Sequence, residues 1–340
     1  MKKKSVISIV ILLVLAVPLF AQEPTPASDF KYKLNSAGNG VVITGYTGTR
    51  TDVVIPAEIE GFPVMEIEGA IANTVGIQVY GLSGGAFRGS KITSVVFPNT
   101  KINIGRYAFN GSRLTSLTLP ETINNIGDYA FTGCIELVSV TINMSISNPD
   151  WNPRNIFADC RKLTTVTFTA PWVAIPREMF TGCINLATVI FPDKLKHIRV
   201  RAFEDCRLPS ALPEGIETIE AGAFMINDFK NRDGSYPSQL HREKEAALAG
   251  YVIESFTVPE GVVSIGGDAF RNKKITKLIL PATIKNMGSG AFRYSSITEL
   301  IIPENAGRIN FDNPMTSFSD NRLNLQAQAA LRRLGYTGSF

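Results

Sequence analysis

Four cysteines, two histidines and 30 carboxylates are the groups in this 340-residue chain that could carry chemistry. Cys134, Cys160, Cys183 and Cys206 each stand three residues after a phenylalanine, at Phe131, Phe157, Phe180 and Phe203. Thiols in such equivalent slots form a line, whereas zinc requires ligands that converge tetrahedrally. A row of buried free thiols is therefore the expectation, with a disulfide between stacked neighbours as the alternative. His197 and His241 are far apart and lie near no G-x-S-x-G context, so no nucleophile triad is read, and His197 is expected on the solvated surface. Glu121, Glu214, Glu260 and Glu304 follow prolines, in a column that Asn99, Asp193 and Ala282 interrupt. That is turn chemistry rather than the paired carboxylates of a glycosidase. Phosphate-cradling glycine loops are absent from the sequence. These residues point to no catalytic centre, no metal and no cofactor.

The elements that hold them repeat. Leu114–Phe131 reads LTSLTLPETINNIGDYAF, Ile253–Phe270 reads IESFTVPEGVVSIGGDAF and Ile275–Phe292 reads ITKLILPATIKNMGSGAF. The marks are Phe87, Phe109, Phe131, Phe157, Phe180, Phe203, Phe224, Phe270 and Phe292, with gaps of 22, 22, 26, 23, 23, 21, 46 and 22. Alternation such as Leu117 and Leu119 is the period-2 signature of a short strand with one buried face, and the proline that follows ends it. The Ala-Phe half suits a tight turn with a short helical or 3₁₀ segment. A single unit cannot bury its own apolar residues, so the fold class is a repeat solenoid, mainly β. Its units stack at about 4.8 Å.

The unit L-x-x-h-x-h-P-x-x-h-x-x-I-x-x-x-A-F-x-x-C resembles the BspA-like, treponemal-type leucine-rich repeats over about residues 30–318. The resemblance implies an exported or cell-surface protein of bacterial, spirochaete-like type. Several members of the family are adhesins for host proteins or other bacteria.

Boundaries follow from where the pattern stops. Residues 1–21 read as a signal peptide, from Lys2, Lys3 and Lys4, an apolar run Val6–Val17, and Ala21 as the expected end. That run is shorter than the roughly 20 residues a membrane span needs. Residues 22–70 read as a linker and capping hairpin, 71–318 as the solenoid, and 319–340 as a capping helix with Ser319 or Asp320 as its cap. Without residues 1–21 the chain carries 31 basic and 30 acidic residues (34 − 3 against 30), too balanced for a nucleic-acid binder.

Three places are candidate binding surfaces. The strand residues that alternate with the core point outward as columns rich in Ser and Thr, among them Ser116, Ser139, Thr165 and Thr188, ending in Lys277 and Glu299 beside Ile279 and Ile301. In the 26-residue gap, Trp151 sits between two prolines. The 46-residue gap is twice 23, yet residues 226–250 show no L-x-x-h-x-h-P strand and are expected to leave the solenoid as an arm of loop and short helix. Phe229, Arg232, Tyr236, His241 and Arg242 are its anchor-type residues, and Ser238 is placed to cap a short helix. The functional expectation is noncatalytic binding of a protein or glycan partner outside the cytoplasm. The alternative is a structural or assembly component of the periplasm or envelope with no host ligand.

Overall fold

Strands with one buried and one exposed row cannot stand alone, and here they stack in parallel. The computed structural model describes residues 23–75, 78–146, 151–207, 209, 211–231, 235, 236, 238–313 and 316–340, without side chains for 71–83. The signal-peptide reading and Arg232 lie outside the described residues.

Two ladders run along the solenoid. The first is the strand that precedes each proline. It pairs Asp52–Val54 with Ser94–Val96, then Ser116–Leu119 through Ser139–Ile142 and Thr165–Phe168 to Thr188–Ile190, then Val252–Thr257 through Lys274–Ile279 to Glu299–Ile301. The sequence reading has one strand per unit. The structure adds a second ladder from the I-x-x-I half, running from Val41–Tyr46 through Phe62–Ile67 and Ile102–Ile104 to Ile123–Ile126. It resumes at Ala174–Ile175 and continues through His197–Ile198, Thr218–Ile219, Ser264–Ile265 and Asn286–Met287 to Asn310–Phe311.

Between the ladders the repeat phenylalanines form a continuous column. From Phe87 to Phe318 each ring stacks nearly parallel on the next, with centroids 4.8–5.7 Å apart. Each buried ring contributes about 2–3 kcal/mol by area, with an offset-stacking gain on top. The Ala-Phe segment is a tight turn rather than a helix. In most units the residues two before and two after the phenylalanine take positive φ, as at Tyr107 (58°) and Gly111 (66°) around Phe109.

The period breaks fall in different ladders. Phe224 stacks directly on Phe270, so no degenerate unit lies between them, and the first ladder is interrupted from Ile190 to Val252. The second ladder is interrupted between Ile126 and Ala174, where Trp151 lies. The phenylalanine column passes through both.

At the ends, Phe30–Leu34 pairs antiparallel with Val41–Tyr46, and helix Leu325–Arg333 (here the C-terminal helix) buries Ala327 and Leu331. Its cap is Asn324, whose side chain accepts from the Ala327 amide at 2.8 Å, rather than Ser319 or Asp320. Asp320 is instead held at φ 64° in the turn after Phe318. Among the described residues no helix is long and apolar enough to cross a membrane.

Candidate functional site: two ladder breaks and an outward strand face

The thiol slot has a structural task. Cys134, Cys160, Cys183 and Cys206 are free and fully buried, and each sulfur lies 3.0–3.3 Å from the carbonyl oxygen of the preceding unit's phenylalanine. Ser295 and Asn321 fill the same slot further on and donate to Phe270 O and Phe292 O at 2.7 and 2.8 Å. In these six units the slot holds a small donor that satisfies a buried carbonyl. Burial pushes the Cys183 thiol well above its ordinary range.

Lys273 occupies this slot in the unit after the arm. It is fully buried, and its ammonium donates to Cys206 O at 2.5 Å, while Asn227, three after Phe224, bonds Glu204 and Asp205 instead. Burial pushes its pKa down to about 8, against the pull of Cys206 and Asp205.

The arm folds back on the flank of the solenoid. Helix Gln239–Leu248, the arm helix, starts at Ser238, whose hydroxyl accepts from the His241 amide. Phe229 is 5% exposed and packs with Ile184 and Leu248, so its ring holds the arm down. Glu243 pairs with Arg161 at 2.5 Å, while Lys244 sits 3.0 Å from Asp159 and 3.7 Å from Asp205. Burial opposes the Lys244 charge, but the Asp159 and Asp205 carboxylates outweigh it and raise the pKa. Tyr236 is half-buried, with Lys230 and exposed Arg242 over its ring at 5.5 and 5.3 Å. His241 joins Ser238 Oγ at 2.7 Å and meets Phe229 edge-on.

The outward strand face is assembled in register. Ser116, Ser139, Thr165 and Thr188 lie side by side, as do Thr118, Thr141, Thr167 and Ile190. Lys277 is opposite Glu299 and bonded to it at 2.6 Å, and Ile279 is opposite Ile301, which is 40% exposed. The four residues form one small patch with its charge neutralised internally.

At the second break, Trp151 is half-exposed and donates its indole N–H to Asn125 Oδ1 at 2.8 Å. It meets buried Trp172 edge-on at 5.3 Å, and Trp172 donates to Met144 O at 2.8 Å. On one side of Trp151 lies a hollow of about 500 Å³, lined by Asn103, Asn124, Asn125 and Arg106 over Gly105 and Gly127. On the other side a hollow of about 340 Å³ is lined by Trp172, Val173 and His197. His197 is half-buried and bonded to Thr218 Oγ1 at 2.8 Å, not free on the surface. Sequence reasoning missed the asparagines, although their recurrence in INI at 102–104 and INNI at 123–126 is a visible signal. Among the described residues no group of three His, Cys, Asp or Glu could hold a metal ion.

A solved leucine-rich repeat protein from T. pallidum is 21% identical, with 94% of this chain and 99% of that one covered and a TM-score of 0.36. A leucine-rich cell surface protein from Faecalibacterium prausnitzii is 19% identical over 82% and 94%, with a TM-score of 0.38. A leucine-rich repeat protein from Bacteroides ovatus is 18% identical over 87% and 81%, with a TM-score of 0.45. No curated protein matches. The model of the BspA type leucine rich repeat region matches residues 81–208, 153–241 and 243–323. That span holds the phenylalanine column, the thiol slot and most of both ladders, and the chain belongs to the BspA-type leucine-rich repeat family.

Proposed function

We propose that this chain is an exported, noncatalytic binding protein that presents its outward strand face to a protein partner in an adhesin-like role. The observation that supports this reading is the in-register patch of Lys277, Ile279, Glu299 and Ile301 at the end of a hydroxyl-bearing face. Two adjacent isoleucines on a rigid sheet can be covered by a partner at little entropic cost, and the Lys277–Glu299 pair adds no net charge to be desolvated. A pull-down with the purified chain, repeated with the Ile279→Glu, Ile301→Glu double variant, tests it. Capture of a partner by the wild type and its loss in the variant is expected. Equal capture by both sinks this face as the site. Export and surface exposure are tested by protease accessibility on intact cells, with cleavage expected before lysis.

A further inference from the structure

The break in the second ladder leaves a groove that a protein docked on the first ladder would not use. Its floor is unusually bare. A Cβ on Gly105 would stand 2.2 Å from the Gly69 nitrogen, and one on Gly127 would stand 2.6 Å from the Arg106 nitrogen. Only glycine permits these stacked backbones to approach, and the two glycines line a hollow of about 500 Å³. That volume lies within the range of about 300–1,000 Å³ usual for small-ligand clefts.

The walls supply amides in a defined state. Asn124 Nδ2 donates to Asn103 Oδ1 at 3.0 Å, which leaves Asn124 Oδ1 to accept and Asn103 Nδ2 to donate. Asn125 Oδ1 is taken by the Trp151 indole, which leaves its Nδ2 to donate. The indole is fixed by that bond and by Trp172 behind it, so little motion remains to be lost when a ligand covers it. Charge is sparse: Glu66 and Arg106 line the hollow with opposite signs, and the Arg106 guanidinium rests over the rings of Tyr107 and Tyr129.

This combination selects among ligand chemistries. A phosphate or sulfate needs converging cations, and among the described lining residues Arg106 is the single cation. An apolar peptide side chain would cover amides without pairing them. A sugar hydroxyl both donates and accepts, and the C–H face of a pyranose lies flat on an indole. The smaller hollow shares Trp151 and Ile146 as its wall, so a chain of sugars can continue across the ring. We propose that this groove binds a neutral oligosaccharide, with Trp151 as its platform and Asn103, Asn124 and Asn125 as its hydroxyl partners. The inference rests on the reading of the chain as an exported binding protein but assigns the sugar to the second ladder.

Calorimetric titration of the purified chain with cellotetraose, maltotetraose, chitotetraose and mannotetraose tests it. A heparin tetrasaccharide and a proline-rich peptide serve as contrasts. Saturable binding of at least one neutral tetrasaccharide is expected. Trp151→Ala should weaken it about tenfold or more, and Asn124→Ala, on an exposed residue, about threefold. Trp151→Phe, which keeps a ring but loses the N–H, should retain more affinity than Trp151→Ala, and thermal melts of all variants establish that they fold. The Ile279→Glu, Ile301→Glu variant should bind sugar as the wild type does, so loss of protein capture alone would leave this groove standing. Absence of neutral-sugar binding, unchanged affinity in both Trp151→Ala and Asn124→Ala, or binding confined to heparin or the peptide would overturn the proposal.

Discussion

Phe224 and Phe270 stand 46 positions apart in the chain, yet their rings stack 5.3 Å apart at 16°. The core therefore does not register the arm between them, while Phe256, Val258, Val262 and Ile265, which follow the arm, belong to that core. Replacing residues 229–249 by a short Gly-Ser linker should leave one cooperative thermal transition. The midpoint should fall by only a few degrees, because the Ile184, Phe229 and Leu248 cluster is small. Two separate transitions, or loss of folding, would show that the arm is part of the core.

Lys244 is the latch of that arm, since its ammonium reaches both Asp159 and Asp205, which belong to the units of Phe157 and Phe203. Removing one partner of such a shielded pair costs about 3 kcal/mol, because the other charges stay behind. Lys244→Met should speed proteolytic cleavage within 230–250 while global melting moves little. Cleavage at the wild-type rate would refute the latch.

Lys273 gives the fold a pH signature. Its folded pKa is about 8 against 10.5 unfolded, so between these values the unfolded chain binds more protons and stability rises with pH. The full shift is worth about 3 kcal/mol. In denaturant melts at pH 8 and pH 10.5, the free-energy difference between wild type and Lys273→Met should move toward the wild type by roughly that amount. A constant difference would mean that the lysine is not held in a dry slot.

The thiol slot predicts both a count and a preference. Denatured but unreduced protein should expose four reactive thiols, and a count near zero would mean disulfides. Cys160→Ser keeps a donor for Phe131 O, as Ser295 does for Phe270 O, whereas Cys160→Ala leaves that carbonyl unpaired. The serine variant should be the more stable by about 1 kcal/mol in denaturant melts.

Two glycines separate steric need from conformational need. A Cβ on Gly111 meets nothing within 4 Å, so Gly111→Ala pays only for its φ of 66°, about 1 kcal/mol. Gly105→Ala forces backbone apart at 2.2 Å and should cost several kcal/mol or prevent folding. Equal melting points for the two variants would contradict the close stacking.

The sequence made the phenylalanine column and the first ladder readable because large apolar residues recur at fixed spacing and alternate over four or more positions. The second ladder was hidden by its brevity: His197–Ile198 and Thr218–Ile219 bury a single isoleucine each, too little for a period of two to register. Positive φ at Tyr107, Glu178 and Arg201 carried no signal, because nothing in those residue types announces it. Lysine is rarely a buried type, and the slot of Lys273 emerges only when its place three after Phe270 is set beside Cys206 and Ser295. The anchor-type residues of the arm were legible as types but not as destinations. Phe229 faces the solenoid, whereas Arg242 remains exposed.

The unbroken column also fixes how the chain yields under mechanical load. Pulled from its two ends, a stack whose units contact only their neighbours peels one unit at a time. Each release of 22 residues, as from Phe87 to Phe109, frees about 75 Å of contour length. The interval from Phe224 to Phe270 should free about 155 Å at a stroke, a double-length step that marks the arm in a force-extension trace.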